Sequence, residues 1–342
     1  MGSRLAIIGM GMLSPVGVGA PMTCASIRAG MTRLRELEGL VDERGGPLIG
    51  APLSYLTTSP PSVERLAEMT VPVLAETLRQ LPSELRARAH VSLAMRDQSR
   101  PGDCSALQSM LRTSFGELGL SRNTLLSVYP EGNAAGLQAL AFSRQQIQQG
   151  GHEVEIIIGV DSLLDVQTLS YLAASRRLKQ ATQPRGAIPG EACVGLALTS
   201  ERIARQAGLR SIAFIEGLGL AAESILTGQN APLMGEGLTR AIGLALEDAD
   251  WSGASVLQVN TDLNGEVYRA HEWMLALVRT LNSPHVVHPA DCIGDVGAAF
   301  APLLVGMAAT AFQRGYARGQ RLLVSCSSDS GLRGACAVAP AS

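Results

Sequence analysis

The sequence predicts an α/β fold built from two copies of one plan, and three observations carry that prediction. Short apolar runs alternate with longer helical patterns, as expected of a parallel or mixed sheet flanked by helices. Two segments echo each other. Gly132-Asn133 opens an alanine-rich helix (AAGLQALAFSRQQIQQ) that ends near Gly150 and feeds EIIIGV. Gly294-Asp295 opens another (VGAAFAPLLVGMAATAFQR) that ends at Gly315 and feeds RLLVSCS. Any two buried helices of an α/β protein look somewhat alike, but these share an opening glycine, a short polar cap and a following strand. The third observation is composition: 37 glycines and only 4% aromatics mean that small side chains organise the interior.

The first strand is read at residues 5–9, an apolar run punctuated by Gly9 and Gly11 and stopped by Ser14-Pro15. A helical pattern covers 21–29, and the glycine-rich stretch 45–50 and Pro60-Pro61 mark loops. A helix at 62–81 leads to a strand at 91–94, and a helix at 104–118 follows. The first echo supplies a helix at 133–149 and a strand at 155–159; a strand at 194–198 and a helix at 200–207 come next. Beyond them stand strands at 211–218, 256–259 and 321–326, separated by helices at 234–247, 266–280 and 296–314. The 342 residues make about two domains' worth of chain. The echo favours two halves of one compact body, 1–210 and 211–342.

Net charge is −2 with no block of basic residues, which argues against nucleic acid and against a polybasic membrane patch. Lys179 is the only lysine, so lysine chemistry has one candidate. Six scattered cysteines without a CxxC pair read as reduced and mostly buried, favouring a cytoplasmic protein. Five histidines without HExxH leave no zinc signature, and neither a metal nor a cofactor is expected. The apolar stretch after Arg4 is too short and too interrupted for a signal peptide, and suits a buried strand. Ala6 stands where a myristoylation signal needs Ser or Thr. No run of about twenty apolar residues offers a membrane span.

Gly9-Met10-Gly11 lacks the third glycine of a dinucleotide fingerprint, because Ser14 stands there. Neither a phosphate loop nor a GxSxG elbow occurs. A different resemblance comes from several segments in order. AIIGMGMLSPVGVGAPMTCASIRAG is similar to the opening of the β-ketoacyl synthases of the thiolase superfamily. IPGEACVGLALTSERIARQAG resembles their Gly-Glu-x-x-x-Gly segment. VLQVNTDLNGE stands where the strand of the first catalytic histidine belongs. HPADCIGDVGAAFAPL resembles the segment carrying the second. The resemblance covers nearly the whole chain and implies a thiolase-like, duplicated five-layer α-β-α-β-α sandwich.

It also implies which residues stand at the catalytic positions. The family's nucleophilic cysteine heads the first central helix, where the helix dipole and backbone N–H groups favour thiolate and oxyanion. Here that place holds Asn133, and no cysteine lies between Cys104 and Cys193. Asp262 and Asp295 stand for the two histidines, the register around Asp262 being uncertain by about one residue; Ala290 stands for the lysine. His271 reads as a helix-surface residue. Only Gly331 remains of the core glycines of the terminal Gly-Phe-Gly-Gly turn, here Ser327-Ser328-Asp329-Ser330-Gly331-Leu332. The usual decarboxylative condensation is therefore not expected.

Three readings of the altered pocket stay open. Asn133 and Asp295 cap their helices and Asp262 bonds turn amides; or Asp262 and Asp295 form an acid–base pair for hydrolysis or acyl transfer; or the oxygens hold a hard cation. Glu131, Glu266, His288, Ser330 and Gly331 are further pocket candidates, with His285 close by. The favoured expectation is a non-catalytic subunit that binds an acyl chain or a protein; an acyl thioester or acyl carrier protein is the expected contact. It would be a homodimer, or the partner of a related subunit as in type II polyketide systems. The resemblance implies pairing across a two-fold axis through strand 155–159, an apolar edge in need of cover.

Overall fold

The computed structural model describes residues 4–42, 44–56, 58, 62–102, 104–121, 123–229 and 231–341. The expected Pro60-Pro61 loop lies outside them. The first part of the chain runs β1 (Leu5–Ser14), β2 (Gly17–Val18), α1 (Ala20–Arg28), a hairpin of β3 (Arg35–Val41) and β4 (Pro47–Gly50), α2 (Val63–Arg79) and α3 (Ser83–Ala87). It continues through β5 (Ala89–Ala94), α4 (Ala106–Ser114), β6 (Leu126–Tyr129), α5 (Ala135–Gln148), β7 (Val154–Ser162), α6 (Val166–Ala174), β8 (Glu191–Ser200) and α7 (Glu201–Gln206). The rest comprises β9 (Ala213–Ala222), α8 (Glu236–Asp248), β10 (Gln258–Thr261), α9 (Val267–Thr280), β11 (His285–Val287), α10 (Ala290–Ile293), α11 (Phe300–Gln313), β12 (Leu322–Ser327) and β13 (Leu332–Pro340).

The duplication is written in the strand pairing. One series runs β1-β8-β7-β5-β6 and the other β9-β13-β12-β10-β11. In each, the first two steps are antiparallel and the last two parallel. The first strands of the two series pair with each other, Leu5 opposite Ile215. α5 and α11 pack between the two series, α2 covers the outer face of the first, and α8 that of the second. This is the five-layer α-β-α-β-α order.

Side-chain alternation explains the layering. On β7, Ile157 points into the central core with Leu137 and Leu304, whereas Ile156 and Ile158 join Leu74 and Leu78 outside. Every residue of α11 from 300 to 311 is buried, as a helix apolar all round must be. A Cβ on Gly136 would lie 2.9 Å from the Ala301 side chain and 2.8 Å from Pro302, so α5 and α11 meet almost backbone to backbone. That contact is the physical source of the small-residue composition.

Four expectations need correction. β7 is no edge, because β5 and β8 pair along both its sides. The edge is β6, which pairs only with β5 among the described residues. The stretch 45–50 is a loop only at its start, since Pro47–Gly50 forms β4 against β3. The register of the echo shifts as well. A 3₁₀ turn at Gly132–Ala134 precedes α5 and one at Gly297–Ala299 precedes α11, with Gly132 and Gly297 both at positive φ. Asn133 therefore corresponds to Ala298, and Asp295 lies upstream of the turn. Strands β6, β11 and β13 were missed. β13 (LRGACAVAP) packs with alanine and glycine, which carry no strand signal. No helix among the described residues is long and apolar enough to cross a membrane.

Candidate functional site: a buried charge network

The candidate residues come together where strands β5, β6, β7, β10 and β12 end, the usual position for a site in an α/β sheet. Gly132 adopts φ +66°, which turns the chain from β6 into the helix and buries Asn133. The Asn133 side-chain amide donates to Asp262 Oδ2 at 3.0 Å. The same oxygen accepts from Arg269 Nη1 at 3.0 Å and from the Ser327 backbone N–H at 2.9 Å. Arg269 also donates to Glu266 Oε2 and Asp329 Oδ1, both at 3.2 Å, and to the Ser327 carbonyl.

A second arginine doubles the clamp. Arg177 donates from Nε to Glu266 Oε1 at 2.5 Å and from Nη1 to Asp329 Oδ2 at 2.7 Å. Glu266 and Asp329 are thus each held between two guanidinium groups. Asn264 bridges Glu266 Oε2 at 2.8 Å to Asp295 Oδ2 at 2.6 Å. Asp295 Oδ1 accepts from Gly297 N at 2.9 Å, and its backbone forms a bridge with Pro189. A third pair, Arg100 with Asp161, is fastened by the N–H groups of Ser162 at 2.8 Å and Ala298 at 3.0 Å.

Electrostatics divide the carboxyls. Burial pushes Asp262 up to about 6 against the pull of Arg269, and burial likewise raises Asp295 against the more distant pull of Arg269. Burial acts on Glu266 and Asp329 too, but their two arginines outweigh it: Glu266 falls, and Asp329 falls to about 2. Arg177 and Arg269 are raised further above their ordinary range by the carboxylates around them, against the effect of burial.

Little space remains. The cavity lined by Asn133, Arg177, Arg269, Asp295 and Asp329 measures about 20 Å³, room for one water. The helix-head donor is occupied, because the Ser328 hydroxyl accepts from Ala134 N at 2.8 Å. Asn133 therefore does not cap α5. Its amide is committed to Asp262, and Ser328 takes the orphan N–H instead. Asp295 is the N-cap of neither α11 nor the turn before it, although it accepts the Gly297 N–H of that turn, and Asp262 accepts the backbone amide of Ser327.

Of the other candidates, Glu266 sits inside the network. Glu131 and Ser330 meet at its rim, with Ser330 Oγ 2.8 Å from Glu131 Oε2. Gly331, at φ +101°, closes the β12–β13 turn. His288 lies apart at the surface, its Nδ1 3.1 Å from the Asp291 carboxyl, and His285 lines a separate cavity with Gln258 and Tyr316. His271 is exposed on α9 as expected. The sequence reading missed Arg100, Arg177, Arg269, Asn264 and Asp329. One signal was available: Asn264, Glu266 and Arg269 stand at the head of α9, the last two at i, i+3.

No family model and no curated protein matches the sequence. Solved structures do match in shape. A ketosynthase/chain length factor for ishigamide superposes with TM-score 0.85 at 17% identity, covering 100% of both chains. A type II polyketide synthase acyl-carrier protein in complex with its hexaketide-bound ketosynthase gives 0.83 at 16%, again with 100% of both chains. A β-ketoacyl synthase from Burkholderia phymatum STM815 gives 0.78 at 15%, over 99% of this chain and 100% of the other. The chain has the thiolase-like fold of the β-ketoacyl synthases.

Proposed function

We propose that this chain is a ketosynthase-like subunit inactive in Claisen condensation, which binds an acyl chain or a protein partner. The observation that carries this reading is the filled site. Asn133, Asp262 and Asp295 stand at the catalytic positions implied by the resemblance, and all three are spent on internal bonds around a cavity of about 20 Å³. Neither a thiol nor an imidazole stands at these positions, and the cavity beside them has room for about one water. A thiolase-like body of this kind serves as one half of a dimer, either with itself or with a related catalytic subunit. The ketosynthase/chain length factor and carrier-protein complexes among the similar structures favour that role, with an acyl carrier protein as the further contact. The edge of β6 is the pairing surface in this reading, flanked by Leu125 at 61% exposure. The boundary near residue 210 then separates two halves of one cytoplasmic body.

The test is intact-mass spectrometry after incubation with acyl-CoA and acyl-carrier thioesters, alongside a turnover assay on thioesters and esters. No adduct and no turnover is the expected result. An acyl adduct mapped near residue 133 overturns the proposal. The raised Asp262 and Asp295 favour a second reading, an acid–base pair in a divergent hydrolase or acyltransferase. Turnover abolished by Asp295→Ala would establish that reading in its place.

A further inference from the structure

A second polar cluster lies at the opposite ends of the same strands. His90 on β5 and Glu155 on β7 face each other in register. His90 Nδ1 stands 2.7 and 2.8 Å from the two Glu155 oxygens. His90 Nε2 is 3.2 Å from Ser127 Oγ on β6. His152, in the turn before β7, stacks on His90 with ring centroids 4.4 Å apart. His90 and Glu155 are buried, at 3% and 0% exposure, whereas His152 is half-buried and open to solvent. One ligand atom from each of the three lies within 4.8 Å of the others.

We propose that His90, His152 and Glu155 form a zinc site, with a fourth position open toward solvent. Two imidazole nitrogens and one carboxylate are a recurrent three-ligand set for Zn²⁺, at bond lengths of about 2.0–2.2 Å. Three features of the cluster fit. Nδ1 of His90 points at the carboxylate that would share the metal, 2.7 and 2.8 Å from its two oxygens. Nε2 then carries the hydrogen and donates to Ser127 Oγ, the outer-shell bond that fixes tautomer and ring orientation in metal-ligating histidines. His152 brings the third ligand atom within 4.8 Å of the other two. Closing the site requires the His152 ring to swing out of the stack. His152 follows Gly150, which stands at φ +75° with nothing within 4 Å of where its Cβ would lie, and Gly151, against which the Gln146 side chain packs.

The balance is simple. Zinc takes its ligands deprotonated, so protons compete with it and affinity falls as pH drops. The experiment is calorimetric titration of the EDTA-treated chain with ZnCl₂, with Co²⁺ absorption reporting the ligand geometry. One zinc per chain and a tetrahedral Co²⁺ spectrum are expected. His152→Ala, at a half-buried turn position that leaves the fold intact, should lose the metal, and Glu155→Gln likewise. Ser127→Ala should weaken binding about 10–100-fold. His288→Ala, in a surface pair elsewhere, should leave it unchanged. Absence of binding by the wild-type chain, or binding that survives His152→Ala, overturns the site.

Discussion

The Asn133 amide reaches Asp262 Oδ2 at 3.0 Å and so ties the head of α5 to the end of β10. This bond occupies the two positions that the resemblance assigns to nucleophile and first histidine. Asn133→Cys should therefore not restore condensation, because the new thiol meets a carboxyl held by Arg269 and not an imidazole. Acyl-thioester labelling followed by intact-mass analysis should show no enzymatic acyl transfer to residue 133. Asn133→Ala should cost about 1–3 kcal/mol in urea unfolding by leaving Asp262 one donor short.

Asp262 gives the stability a pH signature. Its carboxyl titrates near 6 in the fold and about 3.9 in the unfolded chain. Between those values the folded state holds more protons, so this group's contribution is complete below the lower value and is lost as pH rises through about 6. Asp329, lowered to about 2, acts with the opposite sign and below this window. Unfolding free energies at pH 4, 5, 6 and 7 should show Asp262→Asn gaining on the wild type by about 1–3 kcal/mol across the series. Parallel curves would place the titration elsewhere.

Removing one partner of a buried ion pair strands the other. Arg269→Ala leaves Asp262 with two donors and Glu266 and Asp329 with one arginine each. A loss of about 3–5 kcal/mol is expected. Arg269→Lys should recover little of it, because a single ammonium cannot span three carboxylates. Chemical denaturation of the two variants side by side checks both statements.

The central layer should tolerate no added volume. A Cβ on Gly159 would stand 2.5 Å from the Ala298 carbonyl oxygen and 2.6 Å from Pro302. Gly159→Ala should destabilise by about 1–3 kcal/mol. Gly150→Ala changes a solvent-facing glycine with no neighbour near its Cβ but a positive φ, and so separates backbone strain from overpacking.

Pairing through β6 predicts a change of oligomeric state. Leu125→Lys puts charge beside that edge at a position 61% exposed in the single chain. Light scattering should show a smaller species for the variant at unchanged thermal stability. An unaltered mass would move the interface elsewhere.

The fold was legible because its strongest signals are local. β1, β7, β8 and β12 are continuous apolar runs, and the two alanine-rich segments announce helices that only close packing can explain. The β7 edge assignment failed because apolarity marks burial and not position: β7 is apolar through having a neighbour on each side. Asn133, Asp262 and Asp295 were legible by their place in an ordered set of motifs. Arg177 and Arg269 were not, since in a chain whose cations are almost all arginine one more carries no pattern. Their partners lie as far as 152 residues away, and only the folded chain brings them together.

The charge network also draws on residues far apart in the chain, before and after residue 210. Asn133, Asp161, Arg100 and Arg177 come from before it, and Asp262, Glu266, Arg269, Asp295 and Asp329 from after it. Cut there, the first piece would carry away two arginines with one of their carboxylates, and the second would keep four acids and a single arginine. Neither fragment could shed water from those groups alone. The interlock therefore commits the segments before and after residue 210 to fold together, since each holds the counter-charges that let the other leave water.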